Sequence, residues 1–215
     1  MSTATTTPRD ALTAQLERLY YIERTLQSAL RTLSTDVSID SLDDLRALEC
    51  REQLQYVIDD HREESERHLE RIERAFDALG VAPDTRRVPQ LDGLIADKEA
   101  FNNVVLNDAI RPLYYIQTVL QLEAIECTAY ETTMALATEL EASDASESSQ
   151  TGDDEATDDF ASVVEALQDS YDDERQVRTE IESVLDGEAV ETLLDAHPVA
   201  EPPRESLDRS RREQP

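Results

Sequence analysis

Residues 12–33 read LTAQLERLYYIERTLQSALRTL. Leu12, Leu16, Leu19, Leu26, Leu30 and Leu33 recur at alternating spacings of four and three, and Glu23 takes the one remaining place in the stripe. That spacing lines one face of an α-helix, whereas a strand would need apolar residues at every second position. Thr7-Pro8-Arg9-Asp10 supplies the start: an N-cap threonine, a proline whose missing N–H costs nothing in the first turn, and an acid three residues after the cap. The helix is expected to run to about Leu33, with a loop over Ser34 to Asp40.

Three further long stripes follow. Ser41-x-x-Asp44 resembles a second capping box, and helical patterning continues to Leu79. Gly80 stands where a helix C-terminus takes a left-handed residue, with Pro83 beyond it. A connection over Gly80 to Asn107 is expected to hold a short helix from Asp92 to Phe101. The third long helix begins near Asp108, accommodates Pro112 in its first turn and reaches about Leu140. Glu141 to Thr157, rich in Ser, Asp and Glu, reads as a mobile acidic loop. The fourth helix runs from about Asp158 to Leu185. Val190 to Leu194 adds a turn or two, and the tail from His197 reads as disordered. The expected organisation is a disordered 1–7, a bundle over 8–195 containing the 141–157 loop, and a disordered 196–215. Four long helices with the longest connection between the second and third predict an all-α fold, a ferritin-like up-down four-helix bundle with a long crossover.

Composition narrows the alternatives. Trp is absent, Gly numbers 4 and aromatics are 5%, which argues against sandwiches and barrels. The 49 Asp+Glu against 20 Lys+Arg give a formal charge of −29 over 215 residues, and Lys98 is the single lysine. Such a surface argues against nucleic acid and anionic lipid as partners, since phosphate contacts need basic side chains. With 39% hydrophobic residues in clear periodicity, the charge reads as adaptation to a salt-rich cytoplasm rather than disorder. No apolar run approaches a membrane span, no signal peptide is visible, and Cys50 and Cys127 form neither a disulfide framework nor a CxxC. A reduced cytoplasm is the expected compartment.

Each stripe carries ionisable residues near its middle. The second reads Leu54, Val57, His61, Glu64, His68, Ile72, Ala75, Leu79; the third reads Ile116, Leu120, Glu123, Cys127, Tyr130, Met134, Ala137. The fourth reads Val163, Leu167, Ser170, Glu174, Val177, Ile181, Val184. Buried carboxylates are costly unless paired, and several converging would repel. A pair of divalent cations resolves both problems, because carboxylate and imidazole are ligands that Fe and Mn accept. The candidate metal ligands are Glu23, His61, Glu64, Glu123, Glu126 and Glu174, with Glu126 one turn beyond Glu123 and His68 an alternative to His61. Asp60, Asp172 and Asp173 flank the stripes and read as solvated. The depths agree to about one helical turn except in the first hairpin. There a continuous second helix would overshoot the first by roughly 20 Å, so a break between Cys50 and Leu54, or an overhanging start, is expected. The alternative is a metal-free structural or interaction bundle whose acids are protonated, solvated or paired with arginine.

Several of these segments together resemble the YciE/YciF-type ferritin-like proteins, the DUF892 family. Leu19-Tyr20-Tyr21-Ile22-Glu23-Arg24-Thr25-Leu26 is similar to its first-helix pattern, and His61-Arg62-Glu63-Glu64-Ser65 with His68-Leu69-Glu70-Arg71-Ile72 to its H-x-E-E-T…I-E-R segment. Gly93-Leu94-Ile95 resembles the G-L-I of its crossover. Leu122 to Tyr130 is similar to V-E-H-Y-E-I-x-x-Y, and Tyr171-Asp172-Asp173-Glu174-Arg175 to L-E-E-E-K. Ala124 stands in place of the family's usual His, and His68 in place of its usual Gln. The resemblance implies a ferritin-like bundle, commonly a homodimer, a di-metal centre and a role in stress protection. It supplies no defined reaction; the chemistry expected of such a centre is oxidation of Fe(II) by O₂ or peroxide.

Overall fold

The computed structural model describes residues 7–38, 45–104, 111–151 and 159–185. These form five helices and no strand: α1 (Pro8–Ser38), α2 (Leu45–Ala78), α3 (Pro89–Val104), α4 (Arg111–Thr151) and α5 (Phe160–Leu185). The expectations for 1–6, for 39–44 with Ser41-x-x-Asp44, for the crossover end and helix start at Asn107 and Asp108, for 152–158, for Val190 to Leu194 and for the tail lie outside the described residues. No described helix is long and apolar enough to cross a membrane.

The helix ends follow local chemistry. At the start of α1, Thr7 and Asp10 close a reciprocal capping box: the Asp10 amide donates to Thr7 Oγ1 at 3.1 Å, and the Thr7 amide to Asp10 Oδ2 at 2.9 Å. At the end of α2, Gly80 has φ 64°, and the Val81 and Gly80 amides donate to Phe76 and Asp77 carbonyls at 3.1 and 2.9 Å. That pairing needs a left-handed residue, which only glycine supplies without strain. Asp159 caps α5 by accepting the Ser162 amide at 2.9 Å.

Two apolar clusters set the helix directions. One joins Ile22–Val37 of α1 to Cys50–Ile58 of α2, Tyr115–Leu122 of α4 and Val177–Val184 of α5. The other joins Leu12–Leu19, Ile72–Leu79, Tyr130–Ala137 and Phe160–Leu167 of the same helices. Thus α1 and α5 run one way and α2 and α4 the other. Going round the bundle, α1 packs on α2, α2 on α5, α5 on α4 and α4 on α1. Because α2 and α4 are parallel, their connection must travel the length of the bundle. It does so along α1, where the Arg86 amide donates to the Glu17 carbonyl at 2.9 Å. It continues as α3, anchored by Tyr21 donating to Asp92 (2.6 Å) and Lys98 donating to Asp36 (2.6 Å). Phe101 stacks on Tyr114 with ring centroids 3.6 Å apart, and Ile22, Tyr115 and Leu122 are buried in the same region. These apolar residues outside the stripes therefore serve the crossover side of the bundle.

The crossover helix α3 is longer than the expected Asp92 to Phe101 at both ends, and three larger differences stand out. The loop placed at Ser34 to Asp40 is helical through Ser38, because Ser34 and Val37 continue the buried stripe and Val37 O accepts Arg51 Nη1 at 3.3 Å. No break occurs between Cys50 and Leu54; α2 is continuous, with Cys50 and Leu54 fully buried. The extra length of α1 takes up part of the overshoot, and a site at His61 rather than Glu64 takes up more; measured from the described ends at Ser38 and Leu45, Glu23 and His61 both lie about four turns away. Third, the helix expected to stop near Leu140 continues to Thr151, so part of the supposed acidic loop is helix. Low apolar content marked it as exposed, but no Gly or Pro breaks it before Gly152.

Candidate metal centre

Between the two apolar clusters lies one polar layer. Glu23, His61, Ser65, His68, Glu123, Glu126, Ser170 and Glu174 are all fully buried, and the Tyr130 hydroxyl reaches the same layer. Four helices therefore contribute to it at one depth.

Two donor groups can be drawn within this layer. His61, Glu123, Glu126 and Glu174 form one; Glu23, His68 and Glu174 form the other. In the first, His61 Nδ1 lies 3.0 Å from Glu123 Oε1, and His61 Nε2 lies 3.2 Å from Glu174 Oε2 and 3.7 Å from Glu126 Oε1. In the second, His68 Nδ1 lies 2.9 Å from Glu174 Oε1 and 3.4 Å from Glu23 Oε1. Glu174 belongs to both groups, turning one oxygen to each imidazole. Glu23 is also held by the chain, accepting Tyr130 OH at 2.6 Å and Ser65 Oγ at 2.7 Å.

The distances are those of buried ion pairs, but the angles fall outside those of well-formed hydrogen bonds. Both nitrogens of His61, Nδ1 of His68 and both oxygens of Glu123, Glu126 and Glu174 are buried without a hydrogen bond of acceptable geometry. Leaving such an atom unsatisfied costs about 1–3 kcal/mol. Nine of them rival the roughly 5–15 kcal/mol that separates a folded domain from its unfolded chain. Carboxylate oxygens and imidazole nitrogens gathered this closely could hold a cation. The donor set, carboxylate oxygen and imidazole nitrogen, suits Fe, Mn and Zn. Cys127 adds no thiolate, since burial and then Glu123 push its pKa up to about 12.

Protonation follows the crowding. Burial pushes the Glu123 carboxyl up to about 7, against the lowering influence of His61. Burial, then Glu174, holds Glu126 well above the usual carboxylate range. Glu174 goes the other way: burial opposes its charge, but His61 and His68 outweigh it and hold the pKa below the ordinary value. Burial opposes charge on the two imidazoles as well. It is outweighed by Glu123, Glu174 and Glu126 at His61, which is held well above its usual range, and by Glu23 and Glu174 at His68, pushed up to about 11.

These directions fix the pH response of the metal-free protein. The raised Glu123 stabilises the fold fully below its unfolded pKa of 4.5, and that contribution is lost as pH rises through about 7. The contribution of His68 is complete below 6.5 and lost as pH rises through about 11. Both slopes have one sign, so with chelator present the melting temperature should fall between about pH 5 and about pH 9. A rise over that window would contradict the protonation pattern. Metal ligands must shed protons, so loading with Mn(II) should become more favourable over the same interval.

Of the residues expected from sequence, Glu23, His61, Glu123, Glu126 and Glu174 are brought together. Glu64 is not: its side chain is 21% exposed, accepts Arg67 Nη2 at 3.0 Å and lies outside both groups. Ser65 occupies the stripe instead. His61 and His68 lie within about 20° of each other around the helix, and positions 64 and 65 fall roughly 50° to either side. Periodicity therefore does not choose between them, and the small Ser65 fills the place against Glu23. His68, weighed as an alternative to His61, is present together with it. Asp173, read as solvated, accepts Arg71 Nη1 at 2.6 Å and lies 3.3 Å from His68 Nε2. Nothing along the chain signals that contact, because it joins α2 to α5.

Inward carboxylates and imidazoles across four helices, with a long crossover joining parallel second and third members, define a ferritin-like bundle. Within that class, residues 7–194 match the family described as a domain of unknown function, DUF892, and the chain belongs to that family. Solved structures share the fold. YcfI from Rhodopseudomonas palustris superposes with TM-score 0.67 at 20% identity, covering 85% of this chain and 98% of that one. The E. coli stress protein YciF superposes with TM-score 0.65 at 16% identity, covering 85% and 99%. No curated protein matches in sequence at a significant level.

Proposed function

We propose that this chain is a di-metal carboxylate protein that holds Fe or Mn through His61, Glu123, Glu126 and Glu174 in one group and Glu23, His68 and Glu174 in the other. The observation that carries the proposal is the set of nine buried donor atoms without hydrogen bonds, gathered around a shared Glu174. Iron or manganese bound there would supply one-electron chemistry toward O₂ or peroxide, and the proposed outcome is Fe(II) oxidation in stress protection. The chain's own part is to fix the ligands. Ser65 and Tyr130 orient Glu23, and the apolar clusters on either side exclude water. The resemblance to DUF892 proteins supports a homodimer, and the composition supports a salt-rich cytoplasm.

The second reading, a metal-free structural bundle, draws on the two imidazoles. Charged at neutral pH, they would offset part of the carboxylate excess and leave no need for metal. The two are separated by anaerobic loading with Fe(II) or Mn(II), desalting and elemental analysis. The metal reading expects about two ions per chain and a clear rise in melting temperature. Less than about one ion per chain, with no rise beyond that given by Mg(II) at equal concentration, sinks it.

A further inference from the structure

The two imidazoles of the polar layer are held differently. Both nitrogens of His61 face carboxylates of the donor group itself, Glu123 on one side and Glu174 with Glu126 on the other. His68 instead turns Nδ1 inward, toward Glu174 and Glu23, and Nε2 outward to Asp173 Oδ2 at 3.3 Å. Asp173 is not a member of either donor group. Its side chain is 30% exposed, and the same Oδ2 accepts Arg71 Nη1 at 2.6 Å. Arg71 is itself only 17% exposed and also reaches Ser170 Oγ at 3.3 Å. From the other side the ring of Tyr130 meets His68 edge-on, with centroids 6.2 Å apart at 79°.

We infer that Asp173, clamped by Arg71, is a positioning residue that in the metal-loaded protein holds His68 with its remaining proton on Nε2 and so leaves the Nδ1 lone pair for the metal. The inference rests on the metal-binding reading. A neutral imidazole has one N–H and one lone pair, and an outer acceptor decides which nitrogen carries which. Carboxylates in that outer place orient ligating histidines and raise their basicity. The inward nitrogen faces the donor group: Nδ1 is buried among the carboxylate oxygens of Glu174 and Glu23, where a bound cation would take the place of the proton it carries in the metal-free protein. Arg71 serves the same end: in a chain of net charge −29 it restricts Asp173 to one rotamer and offsets its charge beside Glu174. His61 has no such outer carboxylate among the described residues, so the effect is confined to the group containing Glu23 and His68.

Zn(II), being diamagnetic, gives both readouts needed. Affinity is measured by competition with a chromophoric chelator, and the imidazole tautomers by long-range ¹H–¹⁵N correlation in Zn(II)-loaded protein. Wild type is expected to show His68 protonated at Nε2 and coordinated through Nδ1. Asp173→Ala should weaken one of the two sites by about 10–100-fold, the usual cost of losing an outer partner, and leave the other unchanged. Asp173→Asn should retain the tautomer and most of the affinity, because its amide oxygen accepts the same hydrogen bond. Coordination of His68 through Nε2 overturns the inference. So does wild-type affinity in Asp173→Ala, or an Asn variant as weak as the Ala one, which would mean Asp173 acts through charge alone. The two claims fail separately: if wild type binds no Zn(II), the metal reading falls and takes this inference with it. If wild type binds Zn(II) and all three proteins behave alike, only the inference falls.

Discussion

Replacing Glu174 by alanine is expected to abolish metal binding at both donor groups together, a loss well beyond the roughly 10–100-fold that an outer partner costs. Glu174 is the one residue shared by the two groups, with Oε1 2.9 Å from His68 Nδ1 and Oε2 3.2 Å from His61 Nε2. It is also the carboxylate that the two imidazoles hold in its charged form. Its removal therefore acts on the metal-free protein too, leaving two buried imidazoles short of their counter-charge, and breaking such a pair typically costs about 3–5 kcal/mol. Glu174→Gln separates the effects: it keeps the shape, spares part of the stability and still removes the charged ligand. The control is Glu64→Gln, which changes an acid on α2 between His61 and His68 that lies outside both groups. Mn(II) titration should leave Glu64→Gln at wild-type affinity. Equal losses in the two variants would mean that the buried layer is not where metal binds.

The second large effect has a sign that depends on metal. Glu126 is fully buried, neither oxygen makes a hydrogen bond, and burial and Glu174 hold its carboxyl well above the usual range. Glu126→Met keeps the length and apolar stem and removes the unsatisfied oxygens. Urea unfolding with chelator present should therefore show a gain of about 1–3 kcal/mol, the cost of leaving a buried polar group unpaired. In Mn(II) the order should reverse, because wild type gains binding free energy that the variant, lacking a ligand, gains less of. A variant less stable than wild type in chelator would show that Glu126 is satisfied in the metal-free fold. This opposition of stability and ligation is what a binding site built from buried acids entails.

Periodicity named the helices and placed one acid at the middle of α1, α4 and α5, because burying a helix face forces apolar residues to recur and makes a polar exception conspicuous. The crossover was legible as a length of chain too long for a hairpin. Where two positions straddle a stripe symmetrically, as Glu64 and Ser65 do, phase carries no preference and packing against Glu23 decides. Where the partner lies on another helix, as Asp173 does for His68, no local pattern exists to read. The end of α1 and the part of α4 beyond Leu140 depart from expectation for a further reason. Ser and Thr favour loops only weakly, and here their hydroxyls bond back within the helix: Thr35 and Ser143 donate to the Arg31 and Glu139 carbonyls at 3.0 and 2.9 Å.

On the proposed reading, the polar layer between the two apolar clusters holds two metal ions sharing Glu174. Anomalous diffraction from crystals of the Mn(II)-loaded protein tests it most directly, because it places metal without reference to activity and separates the centre from a surface rich in acids. Two anomalous peaks are expected inside the bundle. One should lie among His61, Glu123, Glu126 and Glu174, the other among Glu23, His68 and Glu174. Anomalous density only at exposed carboxylates, with the buried layer empty at saturating Mn(II), would contradict the account.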